Sequence, residues 1–352
     1  MRDLPMRPDG EAALAEAIRS ARAPLSVTGG GTRLEPGEGQ GARLDTRGLT
    51  GVTLYEPEAL TLVVAAGTPL ASIVDILAAE GQMLAFEPPA SPGSTIGGVA
   101  AANASGPRRL QAGAARDALI GLRFIDGQGN VVRNGGRVMK NVTGYDLVKL
   151  MAGSRGRLGV LTELAFRTAP IPQSRLTLCL PARDAAAAIP ALTAALGGPF
   201  DVSGAAWLPG RGALIRLEGL EGSVRLRAES LRKTLAPFGD PGDAQDDPWP
   251  LLRCPNTHDP QADLWRIICR PSQAAALLAA LPEPCSLDWG GALIHVALPA
   301  GELPQLPRFS GHARRIRGAQ PAILPAPDPV AARLDAGLRA RFDPRGIFQG
   351  AP

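Results

Sequence analysis

Cysteine is scarce in this chain, and what there is lies far apart: Cys179, Cys254, Cys269 and Cys285 form no Cys-x-x-Cys pair. That excludes an iron–sulfur cluster or a structural zinc of any usual spacing. Lysine occurs only at Lys140, Lys149 and Lys233, and Gly-Lys occurs nowhere. A P-loop is therefore excluded, since its lysine must follow the last glycine. Histidine is limited to His258, His295 and His312, too few and too scattered for a metal site that needs three or more convergent ligands. Aromatics make up 4% of the residues, so the core must be built from Ala, Val and Leu. No basic run carries interleaved aromatics, which argues against nucleic acid as a partner. No window approaches the ~18–20 apolar residues of a membrane span. The opening "MRDLPMRPDGEAALAEAIRSAR" lacks the apolar core of a signal peptide, and the chain reads as cytoplasmic.

What is present points to a two-domain soluble protein. At 352 residues the chain is long for one core. Its 45% hydrophobic and 20% charged content is ordinary, and the formal net charge is +4. Helical spacing of Leu14 and Ile18 predicts a helix over 11–22, followed by a strand at 24–28. Strands are predicted at 51–55 and 61–66. A helix follows at 69–80, opened by Pro69 and closed by Gly81. Residues 119–136 read as a hairpin turning at Asp126–Gly129, followed by a helix near 144–152 and a strand at 158–168. Two prolines in "APIPQS" mark a boundary at 169–174. From 175 to 300 the order of strands and helices suits an antiparallel sheet covered by helices on one face. Within it, "DPGDAQDDPWPLLRCPNTHDP" reads as a long polar loop. A last helix is predicted from 328.

Two glycine-rich stretches interrupt this pattern. "VTGGGTR" at 27–33 follows a strand but cannot be a dinucleotide fingerprint of the GxGxxG type. That loop must open a helix, whereas here Leu34 stands at the third glycine position and Pro36-Gly37 follow. It is either a plain glycine turn or a run of backbone N–H groups forming an anion nest. "SPGSTIGGVAAANASG" at 91–106 carries Ile96, Val99 and Ala100 in an ordered pattern that a flexible linker lacks. Its residues 97–104 suit one or two tightly packed helical turns that only Gly and Ala would allow. Ser94 and Thr95 could bond phosphate oxygens. A rigid loop is the plainer alternative. Two such nests without lysine fit a pyrophosphate held by backbone dipoles.

Read together, "TGGGT", "YEPEALTLVVAAGTPL", "SPGSTIGGVAAANASG", "TGYDLVKLMAGSRGRLGVLTEL" and the terminal "FDPRGIFQG" resemble, in this order, the FAD-binding flavoproteins of the vanillyl-alcohol-oxidase (PCMH) type. Within that family the chain resembles the FAD-binding E subunits of bacterial glycolate oxidase. The resemblance covers nearly the whole chain. It implies an α+β fold: a PCMH-type FAD-binding domain at 1–170 made of two α+β subdomains, 1–50 and 51–170, and a cap domain at 175–327. The helix and tail at 328–352 would return to the FAD domain. Carried over position by position, Gly29, Gly30, Gly31 and Thr32 match the first pyrophosphate loop. Gly93, Ser94, Thr95, Gly97 and Gly98 match the second. Ala102 and Gly106 match small positions along the flavin, and Gly159 and Val160 match a strand touching the cofactor.

The departures from the family pattern are informative. Many relatives attach FAD through a histidine or cysteine, but none lies near either glycine loop here, so the resemblance implies non-covalent FAD. The family tail often reads Asn-Pro-Gly where this chain has Gln349-Gly350. Hydroxyacid-oxidising relatives carry His-x-x-x-Gly-Asp-Gly-Asn-x-His in the cap, supplying a metal and a base. The comparable "SLDWGGALIHV" at 286–296 keeps only His295, and a lone strand histidine is more often a packed or surface residue than a ligand, so no metal is expected. The resemblance thus implies the FAD-binding subunit of a complex that oxidises glycolate or a similar 2-hydroxy acid. Its partners would be a catalytic FAD-binding subunit and an iron–sulfur subunit, in the cytoplasm or at the inner face of the membrane. Two alternatives remain open: a stand-alone flavin dehydrogenase, for which Tyr145 or Lys140 would be bases by type only, and a scaffold whose FAD is structural.

Overall fold

The computed structural model describes residues 6–136, 145–253, 259, 261–326 and 328–348. The chain divides into two compact units, one of Met1–Ser105, Gly113–Ile171 and Pro327–Pro352, the other of Gly106–Ala112 and Pro172–Ala326. The fold is α+β, with mixed helices and mainly antiparallel sheets.

In the first unit the helix Glu11–Ser20 buries Leu14, Ala15 and Ile18, the stripe that the sequence spacing required. It packs with Leu25, Leu44, Ile125, Val160 and Phe348 into a small core. The strand Leu25–Thr28 pairs in parallel with Ala42–Asp45, so everything between them is a crossover carrying the first glycine run. A five-stranded antiparallel sheet runs in the order Val52–Glu56, Thr61–Ala65, Val160–Arg167, Leu119–Ile125, Val131–Gly135. Its hairpin turns where expected. Asp126 Oδ1 accepts from the amides of Gln128 and Asn130, both at 2.9 Å, and the left-handed Gly129 completes the turn. The helix Leu70–Ala79 follows Pro69 and buries Leu70, Ile73 and Leu77 against this sheet's core. The helix Pro329–Phe342 is capped by Asp328, which accepts from Val330 and Ala331. Beyond it the Asp343 carboxylate accepts from the amides of Ile347 and Phe348, and Phe348 bridges to Leu25, tying the tail to the first strand.

The second unit holds a nine-stranded antiparallel sheet among the described residues. From one edge the strands run Gly242–Asp243, Ser174–Leu180, Gly212–Gly219, Val202–Leu208, Ser286–Asp288, Leu293–Leu298, Asp263–Cys269, Gly311–Arg317, Ile323–Leu324. Alternation along the strands sends Ile215, Leu217, Trp265, Ile267, Ile294 and Val296 to one face. There the helices Ala185–Gly197, Glu221–Leu235 and Ala274–Leu278 cover them. The polar loop expected around 240–260 proves more structured than its composition suggests. It contains the short helix Trp249–Arg253, whose Trp249 and Leu252 are buried against Ala206, Leu208 and Leu214 on the other face. Trp249 satisfies its ring N–H on Thr177 Oγ1 at 2.9 Å, and the Arg216 guanidinium stacks 4.4 Å from its ring centroid. Among the described residues, no helix is long and apolar enough to cross a membrane.

Candidate cofactor site

The two glycine-rich stretches meet in the first unit, where with neighbouring strands they line an open-mouthed cavity. Gly29, Gly30, Gly31 and Thr32 form one wall; Thr95, Gly97, Gly98 and Ala102 another; Gly159 and Leu161 belong to a third. Gly93 and Ser94 stand directly behind the first loop. The Ser94 hydroxyl lies 3.1 Å from that of Thr32, and the Gly93 carbonyl packs against Gly30.

The glycines are small for two different reasons. A Cβ on Gly30 would sit 1.6 Å from the Gly93 oxygen, one on Gly29 2.3 Å from Thr95 Oγ1, and one on Gly97 2.6 Å from the Ala66 oxygen. These three let protein segments touch one another. Gly98 differs: a Cβ there would meet only Thr95 Oγ1, at 3.3 Å, and would otherwise project into the cavity. Its smallness serves whatever occupies that space. Gly31 has φ +72°, which presents successive backbone N–H groups on the inside of the turn. The amides of Gly30, Gly31 and Thr32 find no acceptor among the described residues.

Three charged side chains that the motifs did not flag complete the cavity. The Arg33 guanidinium donates to Thr32 Oγ1 and Ser94 Oγ, each at 3.1 Å, and to the Pro89 carbonyl, so it spans both loops. Arg155 reaches the same loop from behind. It donates to Glu38 at 2.5 and 2.6 Å and to the Arg33 carbonyl at 2.6 Å, with Glu35 at 3.1 Å, while its amide donates to Ala101. Burial works against the Arg155 charge, but the bond to Glu38 and the charges of Glu35 and Glu38 outweigh it and raise its pKa. The cavity walls are thereby fixed by a buried ion-pair cluster. The signal in the sequence was only "SRGRLG", where one arginine looks like another.

Two predicted positions lie elsewhere. Val160 is fully buried in the core beside Leu14 and Ile18, because strand alternation turns Leu161 rather than Val160 to the cavity. Gly106 belongs to the second unit, where its carbonyl accepts from the Trp289 ring nitrogen at 3.1 Å. Among the described residues, no histidine or cysteine lines the cavity. His295 lies in the second unit, fully buried, 3.1 Å from Ser286 Oγ. Burial, and then the charge of Arg266, push its pKa down to about 3. It is neutral and a very weak base. Tyr145 is 89% exposed at the surface. Lys140, His258, Cys254, Gln349 and Gly350 lie outside the described residues.

The geometry defines a nest of backbone amides beside a glycine-floored cavity, a place for a dinucleotide phosphate. Residues 3–135 match the FAD binding domain family. Over 97% of its length the chain is 35% identical to glycolate oxidase subunit GlcE of Escherichia coli, covering 96% of that protein. It is 34% identical to glycolate oxidase subunit GlcD of Bacillus subtilis over 45% of this chain and 34% of that one. It is 30% identical to D-lactate dehydrogenase of Anaerostipes hadrus over 48% and 36%. Among solved structures, an alkyldihydroxyacetonephosphate synthase shares the fold with a TM-score of 0.70 at 14% identity, over 97% of this chain and 76% of that one. The chain belongs to the FAD-binding flavoproteins and, within them, to the GlcE family. The resemblance read from the five motifs holds, and FAD is the cofactor of this family.

Proposed function

We propose that the chain is the FAD-binding subunit of a complex oxidising glycolate, or a similar 2-hydroxy acid, to the 2-oxo acid. The observation that carries the reading is the cradle in the first unit. Three consecutive amides, Gly30 to Thr32, have no acceptor among the described residues and stand beside the Arg33 guanidinium, and the space over Gly98 is open among those residues. The amides and Arg33 would hold the diphosphate, with Gly93, Ser94 and Thr95 bracing the loop. Gly98, Ala102 and Gly159 would lie along the rest of FAD. The first unit is then the FAD domain, and the second, Gly106–Ala112 with Pro172–Ala326, takes the part of the cap. FAD, when bound, supplies the two-electron acceptor, and the protein supplies binding and orientation. With no histidine or cysteine among the described residues that line the cavity, attachment is non-covalent.

Removing a proton from a hydroxy acid calls for a base whose pKa lies near the working pH, within hydrogen-bond reach of that proton. His295, neutral and buried against Ser286, is unsuited to that task. Substrate oxidation is therefore placed on a companion flavin subunit, and electrons leave through an iron–sulfur subunit. Relatives named as glycolate oxidase subunits E and D support this division.

The test compares Gly98→Val with Gly10→Val. A branched side chain at Gly98 enters the cavity, whereas a Cβ at Gly10 meets nothing within 4 Å. The purified wild-type chain and the Gly10 variant should be yellow, with flavin that stays in the supernatant after acid precipitation. The Gly98 variant should be colourless. Equal flavin in both variants, or flavin in the acid pellet, rejects the site as drawn.

A further inference from the structure

The turn at 153–156 touches both walls of the cavity. Its backbone meets the helix Ile96–Ala101, which carries Gly97 and Gly98. The Gly153 amide donates to the Ala100 carbonyl at 3.0 Å and the Arg155 amide to that of Ala101 at 2.9 Å, satisfying carbonyls that a helix end leaves open. The Arg155 side chain meets the loop at 33–38, through its two bonds to Glu38, its bond to the Arg33 carbonyl and its pairing with Glu35. Glu38 also accepts from the Glu35 amide at 2.9 Å, which closes that loop on itself. Gly153, Arg155 and Gly156 have φ of +91°, +55° and +76°. A glycine would adopt the backbone of Arg155 more easily, so what the position gains is the side chain.

That side chain is not placed to draw in an anion. Its charge is already met by two carboxylates, and the three side chains are only 13% (Arg155), 5% (Glu38) and 14% (Glu35) exposed. Its influence on a ligand therefore passes through the loop it holds. The loop brings Arg33 and Leu34 to the cavity wall, and Leu34 is 41% exposed there, apolar surface that a bound molecule would cover. We propose that Arg155 is a positioning residue that holds the loop at 33–38 against bound FAD and so sets how long the cofactor stays. The inference rests on the cavity being the FAD site, and it supplies what retains a flavin that no covalent bond holds. Capture belongs to the amide nest and Arg33; retention belongs to the loop and its clamp. Such a clamp acts on the rate of release more than on the rate of entry.

The experiment compares the full wild-type chain with Arg155→Met, Arg155→Lys and the double variant Arg155→Met with Glu38→Leu. Entry is timed by the change in flavin fluorescence on mixing flavin-free chain with FAD, and release by the change on diluting the loaded chain. The methionine variant should release FAD at least about tenfold faster than wild type, while taking it up within about twofold of the wild-type rate. Lysine keeps the charge without the planar fork and should fall between. The double variant should release FAD no faster than the methionine variant, because both changes cut the same bond. It also removes Glu38, the more buried of the two carboxylates, whose unpaired charge destabilises the single variant. Wild-type release in all three variants, with Gly98→Val colourless, overturns the clamp and leaves the cavity in place. If Gly98→Val keeps its flavin as well, the cavity reading falls and the clamp with it. Slower entry at unchanged release makes Arg155 a direct partner of the diphosphate and overturns the positioning role. A flavin-free double variant without a cooperative melt assigns the cluster to the fold and likewise overturns the proposal.

Discussion

The cavity of the first unit and the long-helix-free face of the second unit's sheet both surround polar groups with protein, and they do so by opposite means. In the cavity wall the key atoms are backbone amides, brought close because side chains have been deleted at Gly29, Gly30 and Gly97. On the sheet face they are side-chain charges. Arg216 is fully buried there, and Glu218 accepts from Arg108 and, at 2.8 Å, from Arg175, with Arg216 at 3.4 Å. An amide nest leaves its donors for a ligand, whereas an ion-pair cluster consumes its own charges. The first arrangement suits binding and the second suits rigidity.

The sharpest way to break that contrast is to put a methyl group on two glycines of one site. In Gly30→Ala the new Cβ would overlap the Gly93 oxygen at 1.6 Å, far inside contact distance, and neither backbone can yield without parting the loops. The first unit should fail to fold, leaving insoluble protein or a chain without a cooperative melt. In Gly98→Ala the closest approach is 3.3 Å, and the rest of the methyl faces the cavity. That variant should melt like the flavin-free wild type, yet bind FAD about tenfold or more weakly, a loss of ~1.4 kcal/mol. Similar behaviour in the two variants would mean that the glycines are small for one common reason and would dissolve the distinction.

On the sheet face the matching change is Glu218→Gln. Burial alone would raise the Glu218 pKa, but Arg216 and Arg108 outweigh it and hold the carboxylate below its usual range. Neutralising it leaves buried guanidinium groups facing one another. The expected cost is ~3 kcal/mol, at the low end for breaking a buried pair because glutamine can still accept hydrogen bonds. Denaturant unfolding of the second unit's tryptophan signal would report it, with flavin content unchanged. A loss of flavin together with stability would show that the cluster serves the cofactor and not only the sheet.

The same contrast explains what could be read from the residues. Glycine runs are rare and positional, so both loops, a short helix overlapping 97–104 (observed at Ile96–Ala101) and the hairpin turn at Asp126–Gly129 are legible in the residues alone. The α+β class, the helices at 11–22 and 69–80 and the FAD resemblance were legible for the same reason. Arg33, Glu38 and Arg155 were not, because an arginine that clamps a loop is spelled like one that points to water. Trp249 is hidden by its setting: eight acidic, proline or glycine neighbours in "DPGDAQDDPWP" conceal a single side chain that is fully buried. Val160 was misplaced by one residue of strand register, which is enough to turn a side chain from cavity to core. Gly106 matched by motif, yet its chain segment packs with the second unit's core through Leu110.

The smallest expected effect concerns His295, buried beside Ser286 in the second unit. Its native pKa of about 3 lies below the ~6.5 of an unfolded histidine, so only the unfolded chain takes up this proton as pH falls below ~6.5. Stability should therefore drop on acidification through that window and be unaffected above it. The drop from this group between pH 6.5 and 5 is about 1–2 kcal/mol. His312, lowered in the same direction by burial and by Arg314 and Arg266, adds to the wild-type slope but is common to both proteins compared. In His295→Gln the side chain can still bond Ser286 but cannot titrate. The variant should match wild type at pH 8 within measurement error and lose less stability at pH 5. Anaerobic bleaching of flavin by glycolate, slow in the isolated chain, should stay slow in the variant, and bleaching in the assembled complex should not change. Fast bleaching of the isolated wild-type chain that disappears in His295→Gln would make this histidine the base after all and move the oxidation of the hydroxy acid onto this subunit.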